Sequence, residues 1–161
     1  MSLPVTERIA TEIQKRLNPV VPDRGKAIGQ ATIARPGRVV PESASVVVQQ
    51  QPIRPLPQLD YPGNPPAKAF EGTFNINCFI EDKTNEVEFA RQCNQAVADV
   101  VRLITNPIVD TVMWYSFGGL AFNSTFGQTR DLPTDIGVRG GVSVPLIVQF
   151  RVSENDHTQV R

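Results

Sequence analysis

Phe70-Glu-Gly-Thr-Phe-Asn-Ile-Asn-Cys-Phe-Ile80 decides the fold class. Phe70, Phe74, Ile76, Cys78 and Ile80 fall on one side of an extended chain, and Thr73, Asn75 and Asn77 on the other. Strand side chains alternate between two faces, so the stretch predicts a strand with one buried face. A turn at 81–85 follows, and Asn85 with Glu88 three residues on has the spacing of a capping pair.

Downstream the period changes from two to that of a helix, running from about 86 to Thr105. Phe89, Cys93, Ala96, Val97, Val100 and Ile104 line one side, widened by Ala90, Val101 and Leu103. Glu86, Glu88, Arg91, Gln95, Asp99 and Arg102 take the outer side, and Asn106-Pro107 stops the helix. This assignment makes Phe89 a core residue whose truncation to Ala costs about 3–5 kcal/mol. Two long strands are expected next, Thr111 to Asn123 with a bulge at Gly118-Gly119, and Gly137 to Val152. The second alternates through Val138, Val142, Val144, Leu146, Val148, Phe150 and Val152, with Pro145 on the opposite face marking an edge or a bulge. Between them Ser124 to Asp135 reads as a polar loop, and 153–161 as a flexible polar tail.

Upstream, Val5, Ile9, Ile13 and Leu17 recur every four residues, a narrow stripe for a peripheral helix ended by Pro19. Ser2 or Thr6 is its expected cap, and Arg16 belongs to its polar faces. Ala27 to Ala34 is a weak strand interrupted by Gly29, and Ser45 to Gln49 a firmer one. In the stretch 54–67, prolines at 55, 57, 62, 65 and 66 rule out helix and central strand. It reads as a long ordered loop packed down by Leu59 and Tyr61, with a polyproline ligand as the alternative. The order of elements predicts one α+β domain over 1–161: a mixed, mostly antiparallel sheet carrying one long helix and a short N-terminal helix.

Composition narrows function. The 161 residues suit about one domain, and sixteen basic residues balance sixteen acidic ones, which argues against a protein built to grip nucleic acid. Up to residue 66 there are eight basic against five acidic residues; beyond it, eight against eleven, an opposition suited to self-association. MSLPVTER has no apolar signal core and no stretch reaches a membrane span, so a soluble protein made in a cytoplasm is expected. The single histidine, His157, and the two cysteines, Cys78 and Cys93, are too few for a Cys/His zinc site or an ordered triad. Cys78 and Cys93 form either a disulfide or two buried thiols, cytoplasmic synthesis favouring thiols. Gly118-Gly119 and Gly137-x-x-Gly140-Gly141 fit no phosphate-loop spacing. The pairs Asp131/Asp135 and Glu154/Asp156 read as solvated carboxylates. Neither an enzyme nor a cofactor or metal is expected.

The strand's end, Phe150-Arg151-Val152-Ser153-Glu154-Asn155-Asp156, resembles the tail terminator (tail completion) proteins of long-tailed bacteriophages. Their last strand runs into an aromatic-Arg-x-x-Glu-Asn-Asp-Pro stretch, after a similar order of helix, strands, long helix and long hairpin. Phe150 stands where Tyr is common, His157 where Pro is common, and the proline-rich stretch has no counterpart. The resemblance implies a virion protein forming a ring, usually of six subunits, on the head-proximal end of the tail tube. The ring would halt tube growth and receive head-completion proteins, while DNA passes through its lumen without sequence-specific binding and no membrane is involved. Candidate contact residues are Arg130, Asp131 and Asp135 in the polar loop, Arg151, Glu154, Asn155 and Asp156 in the tail, and Tyr61 in the proline-rich loop. Alternatives are another neck or tube ring protein, such as a head–tail adaptor or tube subunit, and a small-molecule-binding regulatory domain.

Overall fold

A computed structural model describes residues 3–18, 31–34, 46–63, 66–81, 86–106, 113–135, 139–153 and 156–160. The chain runs α1 (Val5–Leu17), β1 (Ala31–Ala34), β2 (Val46–Gln50), β3 (Arg54–Pro55), β4 (Ala67–Glu81), α2 (Glu86–Thr105), β5 (Asn123–Phe126), β6 (Arg130–Asp135), β7 (Arg139–Ser153) and β8 (Asp156–Val160). Short 3-10 turns occupy Pro57–Leu59 and Trp114–Ser116. The eight strands among the described residues join one sheet, antiparallel except where β1 runs parallel to β2. The fold is therefore α+β with a mostly antiparallel sheet, as the alternating patterns require.

The axis of the sheet is β4 against β7, paired residue for residue from Ala67↔Ser153 to Glu81↔Arg139. Fifteen residues at roughly 3.4 Å each give a ribbon about 50 Å long. Its even-numbered positions form the core face: Phe74, Ile76, Cys78, Val142, Val144, Leu146, Val148, Phe150 and Val152 are all buried. The pairs Val46↔Cys78 and Val48↔Ile76 add β2 to the same face. Both helices lie over it, α1 through Val5, Ile9, Ile13 and Leu17, and α2 through Ala96, Val100, Leu103 and Ile104. α1 is thus a full core helix despite its narrow stripe. Its N-cap is Pro4, without a side-chain cap bond, in place of Ser2 or Thr6.

Several expectations give way to the register. Residues 113–122, read as strand, form the 3-10 turn and a left-handed run at Phe117, Gly118 and Gly119 (φ 47°, 70° and 89°). The expected polar loop 124–135 contains β5 and β6, each paired to β7. Within the polar tail, residues 156–160 form β8, and Val160 packs on the core. These stretches are polar because they are edge strands with a wet face, which a loop resembles in composition. Pro145 sits in a central strand, not at an edge. Its carbonyl accepts Gly127 N–H (2.8 Å), so its missing donor falls on that side, at the seam between β5 and β6. A Cβ on Gly141 would strike the Cys78 carbonyl, which explains a glycine at this position of β7.

Phe89 is only half-buried and stands outside the core cluster, because the inward face of α2 lies along 96, 99, 100, 103 and 104. Phe74 is fully buried. Urea denaturation is therefore expected to show a loss of about 3–5 kcal/mol for Phe74→Ala and a clearly smaller one for Phe89→Ala; equal losses would contradict the register of α2.

Candidate functional site

Three side-chain constellations stand out. The first lies where α1, α2 and the 113–117 turn meet. Arg16, only 5% exposed, donates from Nη1 to Ile104 O (3.0 Å) and Trp114 O (2.8 Å), and from Nε to Glu12 Oε1 (3.4 Å). Its Cζ lies 4.3 Å from the centre of the Phe117 ring. The guanidinium thus satisfies a terminal carbonyl of α2 and sets positive charge at the helix's negative end. Burial pushes the Arg16 pKa down, while the charge of Glu12 and its hydrogen bond act against that. Nη2 has no hydrogen-bond partner among the described residues. Phe117, buried at φ 47°, is held in a conformation that costs a bulky residue roughly 1–2 kcal/mol. Sequence periodicity gave no signal for this role, since a charged residue beside an apolar stripe normally points to water. Asp99, expected on the outer side of α2, is only 1% exposed and accepts from Gln95 and Arg102.

The second constellation is a row of polar side chains across the sheet face opposite the helices. Arg54 Nη2 meets Glu71 Oε1 (2.8 Å), Gln149 Nε2 donates to Glu71 Oε2 (3.2 Å), and Asn123 Nδ2 donates to Gln149 Oε1 (3.4 Å). One row further, Arg151 Nε donates to Leu59 O (2.9 Å), and its guanidinium lies 4.4 Å from the Phe122 ring centre. Nearer the other end, Asn77 Nδ2 donates to Gln49 Oε1 (3.2 Å). Cross-strand partners on one face lie close enough for such ladders, each link adding about 0.2–1 kcal/mol. Arg151 is therefore a cross-sheet staple between the proline-rich segment and the 113–122 segment.

The third is the thiol pair. Cys78 and Cys93 are both free, Cys78 buried on β4 and Cys93 half-buried on α2. Burial first, then the neighbouring Cys93 and Asp99, pushes the Cys78 thiol up to about 12. Burial and then Asp131 raise Cys93 as well. Neither thiol has the electropositive setting of a reactive cysteine.

The candidate contact residues separate along the ribbon. Arg130 and Asp131 are exposed on β6, and Asp135 follows on the same strand, all beside the Glu81–Arg139 end of the long pair. Tyr61, 56% exposed, bridges Ala67 at the opposite end, where β7 leads into β8 and Asp156 pairs Ser153. Tyr61 does not pack the proline-rich segment down; its ring lies over Gly63, and the buried anchor is Leu56. Glu154 and Asn155 lie outside the described residues. No described helix is long and apolar enough to cross a membrane, and no three described His, Cys, Asp or Glu side chains group as metal ligands. The sequence matches no protein-family model and no curated protein.

Arg16→Met should lower stability by about 3 kcal/mol in urea, since it strands two buried carbonyls and Glu12; Arg16→Lys, lacking the planar fork, recovers only part. A loss below about 1 kcal/mol for Arg16→Met contradicts the assignment. For Cys78 the unfolded thiol ionises near pH 8.5 while the folded one keeps its proton to about 12. Its stabilising contribution is whole below the lower value and falls as pH rises between them. The stability difference between wild type and Cys78→Ala should shrink from pH 8 to pH 10; a constant difference contradicts the burial of this thiol.

Proposed function

We propose that the chain is a structural virion protein of a long-tailed bacteriophage, a tail terminator that closes into a ring of about six copies on the head-proximal end of the tail tube. The observation that carries this reading is the position of the Phe150–Asp156 motif. It ends the central strand β7 and enters β8, at one end of a ribbon about 50 Å long. The other end carries β6 with Arg130 and Asp131. A subunit with separate polar features at the two ends of a stiff double strand suits a ring with two unlike faces.

The physical mechanism is that of a cap. A heterologous contact repeated around an axis closes when the rotation closes, and a ring face that copies a tube subunit's contact surface binds the tube end. The opposite face lacks that surface, so tube growth stops, and a head-completion protein binds there instead. The lumen conducts DNA without reading its sequence. Chemistry on a ligand plays no part, and neither a cofactor nor a metal is required.

Residues 156–160 are not a detachable tail, since they form β8 on the sheet. Arg8 Nη1 donates to Thr158 O (3.2 Å) and Val160 joins the core, so their removal destabilises the fold along with any docking.

Negative-stain imaging of the purified protein tests the reading. Discrete pierced discs are expected, together with shortened tubes when the protein is added early to tube assembly. Filaments of unlimited length would make the chain a tube subunit, and a monomer that neither forms discs nor affects tube length would contradict the proposal.

A further inference from the structure

The chain from Gln51 to Pro62 runs back along the outer side of β4, and its hydrogen bonds follow a rule. Gln51 N–H donates to Thr73 O (2.9 Å), Leu56 N–H to Ala69 O (2.9 Å) and Tyr61 N–H to Ala67 O (2.9 Å). Each of these inward donors has a proline as its neighbour: Pro52 after Gln51, Pro55 and Pro57 on either side of Leu56, and Pro62 after Tyr61. In an antiparallel edge, consecutive N–H groups point alternately to the partner strand and away from it. In the extended part of the segment Pro52 and Pro55 therefore occupy positions whose N–H would face outward, while Pro57 opens the 3-10 turn and Pro62 follows the Tyr61–Ala67 bridge. Where the ladder is interrupted, the Asp60 carboxylate takes the Ala69 N–H (2.7 Å) in place of a backbone carbonyl. Pro52 and Pro55 each remove a donor from the outer side of this segment.

The rest of the segment agrees. Arg54 sets a side chain 69% exposed on this border, and the 3-10 turn at Pro57–Leu59 breaks the extended line. Exposed Ile53 and Tyr61 would otherwise make an apolar edge ready to pair with another chain. On the side of β7 away from β4, β5 (Asn-Ser-Thr-Phe) and β8 contain no proline, whereas β6 carries Pro133.

We infer that residues 51–62 are a built-in strand blocker, which prevents a second copy of this chain from pairing with the sheet along this segment. A bare extended edge is a template for further pairing, and proline, charge and local irregularity are the means that block it. The inference rests on backbone pairing alone and stands whether or not the chain forms rings.

The test is sedimentation velocity on wild type, Pro52→Thr/Pro55→Thr, and the triple variant that adds Pro62→Thr, at matched concentrations. Circular dichroism confirms the native fold of each. Both variants keep Leu56 and the three inward donors. The expected result is a rise of about twofold or more in weight-average mass in the natively folded variants, reversed by adding Ile53→Lys, which restores charge to the freed edge. Natively folded variants that sediment like wild type overturn the inference. So does a mass increase that Ile53→Lys fails to reverse, since that points to unspecific aggregation. If the multiple variants lose their fold, the single variants Pro52→Thr and Pro55→Thr carry the same comparison, with the same two outcomes.

Discussion

The pairing of β4 with β7 is the constraint on which everything else depends. The two strands are distant in the sequence, yet they pair over their full length and supply most of the buried sheet face. Every other strand is placed by them, directly or through β2. Because the side-chain period is two, a slip of one residue would move Phe74, Ile76, Leu146 and Phe150 out of the core together. That coupling makes the register all-or-none. Gly141 sharpens it, since only a residue without a side chain fits against the Cys78 carbonyl.

The two faces of the ribbon then acquire different work. The even-numbered face is dry and carries both helices, whose junction is closed by the buried Arg16 cation. Such a cation is a costly group to bury, and it is held by two carbonyls, one carboxylate and an aromatic face. The odd-numbered face is laced by polar rows, so the sheet is stiffened from the side that has no helix. A stiff, long double strand with unlike ends is a subunit geometry well matched to building an assembly.

What could be read from the sequence follows from how strongly each element announces its period. The alternation through Phe74, Ile76 and Cys78, and again from Val142 to Val152, survives because both strands bury one face. The extent of α2 survives because the sequence marks its ends, with the polar run before Glu86 and Asn106-Pro107 after Thr105. Trp114 to Leu120 misled because aromatic residues favour strands, whereas the turn there is imposed by Arg16 from another helix. β5, β6 and β8 were hidden by their polarity. The inward roles of Arg16 and Asp99, and the alternation of prolines with inward donors, exist only once tertiary register is known; no local pattern encodes them.

The central claim is a full-length β4–β7 ladder whose flank along 51–62 is closed to further pairing. Residue-resolved amide hydrogen exchange, on assembled and dissociated protein, tests it most directly. The account predicts that the amides shared by β4 and β7 exchange last and only through global unfolding. It also predicts that assembly leaves the protection of 51–62 unchanged. Fast exchange within the long pair, or new protection confined to 51–62, would contradict it.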